Sequence, residues 1–185
     1  MQSNQKLRHN FLQIALFVIG FLFANQAQAQ YTRYEVRAGF IYTFAQNFTW
    51  PDIAFARTNK YIVGVLGENP FGNSLERILK GRSANGRYFE VRYGTSVKEL
   101  RGCNVVFITY SEKDRAARII EEIQTEFKTE GIGVLTIGDE IPNFCQYGGI
   151  LNIPATGIAE FNPLAAEKSK LVVSPKLFKI LTIVK

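Results

Sequence analysis

The chain has few of the residues that most often carry chemistry. Of 185 residues, one is histidine, two are cysteine, one is methionine and one is tryptophan. The histidine is His9, inside a segment that reads as a cleaved leader, so the expected mature chain contains none. That excludes Ser-His-Asp and Cys-His catalysis, imidazole-ligated zinc and phosphotransfer through histidine. Long apolar runs are also lacking. The longest, Phe11 to Phe23, covers thirteen residues and is interrupted by Gln13 and Gly20, whereas a bilayer-spanning helix takes about 17 to 25.

What stands at the amino end has the order of a secretory signal. Lys6 and Arg8 supply a positive start, the Phe11–Phe23 run follows, and Ala27-Gln28-Ala29 offers a small-residue cleavage site. Cleavage is expected after Ala29, with no cysteine near it to take a lipid. The reading is residues 1–29 as signal peptide and 30–185 as a single α/β domain, exported and not inserted in the membrane. The formal charge of +6 falls to +4 once two basic leader residues are removed, which is mild, and nucleic acid is not an expected partner of an exported chain. Cys103 and Cys145 enter a compartment that permits disulfides. They lie in separate apolar segments, so a bond between them and two buried free thiols both stay open.

From Tyr61 onward, short β-rich runs alternate with helix-period segments, the pattern of an α/β sheet. Strands are expected at Tyr61–Leu66, Tyr88–Tyr93, Asn104–Tyr110 and Gly133–Ile137. Most are apolar on both faces, as buried parallel strands are. Ser111 and Asp114 resemble a capping box, and Ala116, Ile119, Ile120, Ile123 and Phe127 then recur at helical spacing. Asn69-Pro70 is placed as N-cap and first residue of a helix reaching Leu79, and a short helix is expected over Ser96–Leu100. Gly149–Ile153 and Gly157–Phe161 read as an antiparallel hairpin around Pro154. Ser174-Pro175 is expected to start a last helix bearing Leu177, Phe178, Leu181 and Val184. The fold class is therefore an α/β three-layer sandwich, a mostly parallel central sheet flanked by helices, with a C-terminal antiparallel hairpin.

The segment just past the leader, "GFIYTFAQNFTWP" from Gly39 to Pro51, is unusually apolar. Val36, Phe40, Phe44 and Phe48 recur every fourth residue, Ala38, Ile41 and Ala45 widen the face, and Trp50-Pro51 stops the helix. A helix apolar over so much of its surface belongs in a core rather than on a membrane, where a strongly charged opposite face is wanted.

Motifs with chemical meaning are sparse. "GENPFGNS" follows the first strand and precedes a helix, but lacks the Gly-Lys-Ser/Thr of a P-loop and is read as a plain turn. Asp139 and Glu140 sit at the carboxyl edge of a strand, where open α/β sheets bind ligands. Adjacent carboxylates need not point the same way, so solvation or capping is the expected role. Eight Tyr and fifteen Phe are too many for a small core to hide completely, and an exposed cluster of them would mark an interaction site.

Four stretches together resemble the YfiR/HmsC-like family of periplasmic regulators. They are "YEVRAGFIYTFAQNFTWP" (Tyr34–Pro51), "VGVLGENPFGNSLERIL" (Val63–Leu79), "GCNVVFITYSE" (Gly102–Glu112), and "VLTIGD" followed by "FCQYGGILNI" and "EFNPLAAEKSKLVVSPKLFKIL". The resemblance implies a small α/β sandwich in the periplasm that represses an inner-membrane diguanylate cyclase by binding its periplasmic domain. It further implies lowered cyclic di-GMP and biofilm output and an outer-membrane lipoprotein as antagonist; a homodimer is a candidate assembly. No catalytic residue, metal or cofactor is expected. Candidates for ligand or partner contact are Asn69, Pro70, Phe71, Ser111, Asp139, Phe144 and Tyr147. The alternative is a small-ligand binder with its pocket at the carboxyl ends of the strands; a hydrolase using Asp139 and Glu140 is the least favoured reading.

Overall fold

The computed structural model describes residues 33–56, 58–128 and 133–184. The expected leader and its cleavage site lie outside the described residues. Among the described residues there are ten strands: β1 (Phe48–Thr49), β2 (Lys60–Leu66), β3 (Ser83–Ala84), β4 (Arg87–Gly94), β5 (Val105–Ile108), β6 (Leu135–Asp139), β7 (Leu151–Ile153), β8 (Ala159–Phe161), β9 (Val172–Val173) and β10 (Leu181–Ile183). The α-helices are α1 (33–47), α2 (Ser74–Leu79), α3 (Ala116–Lys128) and α4 (Pro163–Lys168). Eight strands form one sheet in the order β10-β8-β7-β6-β5-β2-β4-β3, while β1 and β9 pair separately.

The centre of the sheet, β4-β2-β5-β6-β7, is parallel throughout. Antiparallel pairs occur at β3–β4 and at β7–β8, the expected C-terminal pair. Strand β2 shows why its sequence is apolar without alternation. Tyr61, Val63 and Val65 face one core while Ile62 and Leu66 face the other, so both sides are dry. Helices α1 and α2 cover the first face through Ala38, Ile41, Phe44, Leu75 and Leu79. Helix α3 covers the second with Ile119, Ile120, Ile123 and Phe127, helped by Val97 and Leu100. These are the three layers that the periodicities anticipate.

The apolar N-terminal segment is an internal wall. Ala38, Ile41, Phe44, Ala45 and Phe48 are fully enclosed, and Val36, at 54 % exposure, marks the wet side. Each buried phenylalanine contributes about 1.5–3 kcal/mol through the area it removes from water. Phe48 leaves the helix, however. With Thr49 it forms β1, paired to Val173 and Val172 of β9, a contact between distant short segments that no local pattern announces. Polar order inside the core centres on Asn104. Its Oδ1 accepts from the Ile62 amide at 2.9 Å, its Nδ2 donates to Ala54 O at 3.3 Å, and its carbonyl accepts from Trp50 Nε1 at 3.2 Å. One buried amide thus locks the amino ends of β2 and β5 to the segment that leaves α1.

Several local expectations change. Helix α2 starts at Ser74, because the Asn69 side chain closes its own turn, accepting from Phe71 N at 2.9 Å and donating to Gly72 O at 3.0 Å. Ser111 does not cap α3; residues Tyr110–Arg115 form a 3₁₀ turn, and the Ser111 hydroxyl accepts from Glu68 N at 3.1 Å. The Ser96–Leu100 helix is a single 3₁₀ turn over Val97–Leu100. The final helix is likewise only a 3₁₀ turn, Pro175–Lys179, and Leu181–Ile183, with two β-branched residues in its three, extends instead as β10 beside β8.

The disulfide left open by the sequence is not formed: Cys103 and Cys145 are buried free thiols. Cys103 precedes β5, whereas Cys145 lies beyond the carboxyl end of the neighbouring β6, so they occupy opposite ends of the sheet. Bonding requires Cα atoms within about 7 Å. Burial pushes both thiols up to about 12, which keeps them protonated.

Candidate functional site

Winding of the parallel strands reverses between β2 and β5, which makes the carboxyl ends of these strands the place where open α/β proteins hold ligands. Here the crevice is occupied by the chain itself. Gly67 lies at φ +102°, and a Cβ on it would stand 2.6 Å from Ser111 Oγ and against Thr109 Oγ1. Only glycine allows that approach. The Thr109 hydroxyl in turn donates to Leu66 O at 3.0 Å, so the loops after β2 and β5 are stitched together.

Beside the switch point, the end of β6 carries Asp139 and Glu140, and α1 brings Arg33, Tyr34 and Arg37 over them. Asp139 is fully buried; it accepts from Tyr34 Oη at 2.9 Å and is ion-paired with Arg37 Nε. Glu140 Oε1 accepts from the Arg33 and Arg37 guanidinium groups, and Arg37 Nη2 also reaches Ile153 O at 3.4 Å. Glu140 sits at φ +54°, and its backbone N–H donates to Ile153 O at 3.0 Å. Two cations thus meet two carboxylates, with Arg37 buried and Arg33 at the surface. Desolvation, and then the charge and hydrogen bond of Asp139, push the Tyr34 phenol up to about 12, so it stays a donor.

The same edge is plugged by rings. Phe71 lies edge-on to Tyr34 and Phe107, with centroids 5.5 and 5.0 Å apart. Phe144 rests on a floor of glycine: a Cβ on Gly138 would come within 2.7 Å of its Cγ, and one on Gly149 would overlap the ring. Of the residues singled out from the sequence, the structure brings Phe71 and Asp139 together through Tyr34, with Asn69 on the adjoining turn. Phe71, Asp139 and Phe144 are enclosed, Pro70 is half-buried, and Asn69, Ser111 and Tyr147 are exposed. Ser111 serves the β2 loop, and Tyr147 stands on the turn that follows Phe144.

Arg37 and Tyr34 escaped the sequence reading. Their signal was nonetheless present: Tyr34, Arg37 and Ile41 fall at i, i+3 and i+7 on the helix stripe that is otherwise apolar, so a charge there needs a buried partner. Chemically, the arrangement clamps α1 across the ends of β6 and β7. Asp139 and Glu140 accept from guanidinium and phenol donors, and Asp139 presents no surface at which it could take a proton from a substrate. Among the described residues no group of three or more His, Cys, Asp or Glu is disposed to hold a metal ion.

Fold and edge together define a doubly wound α/β protein whose switch-point crevice is filled by its own side chains. Residues 34–180 match the YfiR/HmsC-like family, and the chain belongs to that family. The family is one of periplasmic regulators of diguanylate cyclases, regulatory rather than catalytic. No curated protein matches the chain. No helix among the described residues is long and apolar enough to cross a membrane.

Proposed function

We propose that this protein is a non-enzymatic periplasmic regulator that represses an inner-membrane diguanylate cyclase by binding its periplasmic domain. The observation that carries the reading is the family match over residues 34–180. The filled carboxyl edge supports it, since the groups best placed for chemistry, Asp139 and Glu140, bond α1 instead. Export through the expected leader would deliver the chain to the compartment where such a cyclase presents its sensory domain.

Repression of this kind is a population shift. The regulator binds one conformation of the cyclase better than another and biases the pair by that difference alone. Turning a mostly active population into a mostly inactive one takes about 5.5 kcal/mol of preference, which an interface of standard size with a few buried anchors can supply. Deleting the gene in a strain that carries such a cyclase should raise cyclic di-GMP and biofilm formation, and expression of the exported chain should lower both again. Unchanged cyclic di-GMP on deletion would overturn the reading.

A further inference from the structure

Strand β10 ends the eight-stranded sheet. It pairs with β8 on one side, and no described strand covers the other. Val184 N donates to Phe161 O at 2.8 Å, so Thr182 and Val184 turn their backbone groups toward β8. By the alternation of a strand, Leu181 and Ile183 turn theirs outward. An outward row of N–H and C=O groups is a template for another strand. Edges are commonly blunted by charge on the strand or by a covering element; β10 carries Leu, Thr and Ile. Phe178, Ile180 and Ile183 around it are 43, 50 and 53 % exposed.

The turn that leads into β10, Pro175–Lys179, carries Lys176 and Lys179, while Glu160 of β8, registered against Thr182, is half-buried and accepts from Asn152 Nδ2 at 2.9 Å. Both lysines are exposed and enter no ion pair among the described residues, as do Lys168 and Lys170 further back along the chain. Glu167 is the sole acidic residue between positions 162 and 184.

We propose that the β10 edge takes up an extended acidic segment of a partner protein as an added strand, with backbone bonds to Leu181 and Ile183 and its carboxylates facing the lysines. This rests on the regulatory reading only for the partner's identity. An anionic membrane would also attract lysine and isoleucine, but in hydrocarbon the outward backbone groups would lose their hydrogen bonds. A second copy of the chain would bring two sets of lysines to one seam, and opposed like charges destabilise a strand pair. Main-chain pairing would supply affinity, and the charge would select the partner.

The test uses the full exported chain with labelled eight-residue probes of alternating Val and Glu, the same peptide N-methylated at alternate residues, and alternating Val and Lys. Phosphatidylglycerol vesicles and a measurement of molar mass against concentration run beside them. Binding of the Val/Glu peptide is expected, at least tenfold weaker after N-methylation and absent for Val/Lys. Ile183→Pro, which removes an outward N–H without touching the β8 bonds, should weaken it at least tenfold. Lys176→Glu with Lys179→Glu should do the same and abolish its salt dependence. The proposal falls if the Val/Glu peptide fails to bind, if N-methylation or both variants leave binding unchanged, if vesicles bind in place of peptide, or if Ile183→Pro dissolves a dimer. Cyclic di-GMP in cells separates the two readings: repression by Ile183→Pro at the wild-type level removes the edge and leaves the regulator, whereas no effect of gene deletion removes the regulator and leaves the peptide result to judge the edge.

Discussion

Arg37 shows what one charged residue costs and contributes when it lies inside. Its partner Asp139 has no contact with water, so truncating Arg37 leaves a buried carboxylate with only the Tyr34 hydroxyl. Arg37→Ala should therefore lose about 3–5 kcal/mol in urea unfolding, while Arg37→Met combined with Asp139→Leu should recover most of it, because an apolar pair of similar volume needs no counter-charge. Tyr34 gives the pH signature of the same cluster. Its phenol ionises near 10.0 when unfolded and is pushed up to about 12 when folded. The unfolded chain thus releases the proton first, so the contribution is complete below pH 10 and is lost as pH rises toward 12. Stability measured from pH 8 to 12 should fall less steeply in Tyr34→Phe than in the wild type; an identical slope would place the alkaline loss elsewhere. The helix stripe showed that Arg37 needs a buried partner, but not which one, since positions 139 and 140 are about a hundred residues away and only the fold joins them.

At the scale of elements, long periodic segments were legible and short ones were not. Helix α3 repeats its apolar spacing over several turns, and each of Ala116, Ile119, Ile120, Ile123 and Phe127 is buried. The stretches at 69–79 and 174–184 carry good start signals yet too few residues to outweigh tertiary alternatives, an Asn69 turn in one case and the free flank of β8 in the other. Short helices gain most of their stability from packing, so local signals decide little there. Glycine offers a paired test of packing. Gly149→Ala puts a methyl into the Phe144 ring and should lose about 1–3 kcal/mol. Gly39→Ala, within α1 and with nothing within 4 Å of the new methyl, should gain about 0.5–1 kcal/mol. Thermal unfolding of the two variants reads opposite signs if α1 and the Phe144 plug are arranged as described.

For the whole molecule, core and edge separate into two kinds of fault. Loss of the Arg37 clamp lowers the folded fraction, and one to two kcal/mol is enough to change abundance severalfold in cells. Arg37→Ala should accordingly raise cyclic di-GMP in proportion to lost protein on an immunoblot. Ile183→Pro should raise it at unchanged protein level, because an edge strand tolerates proline where its N–H faces outward. A rise with Ile183→Pro only where protein is lost would assign β10 to stability alone.

The amino-acid sequence by itself determined the layer architecture, the parallel centre of the sheet and the burial of the N-terminal helix, because apolar periodicity reports which face must leave water, and that demand is local. Tertiary structure alone decided that Asp139 and Glu140 are bound by Arg33, Tyr34 and Arg37, that the two thiols stay apart, and that β10 ends the sheet with no described strand on its outer flank. Each of those depends on which distant segments the topology sets side by side, and the energy of a buried ion pair or a free strand edge exists only once they are.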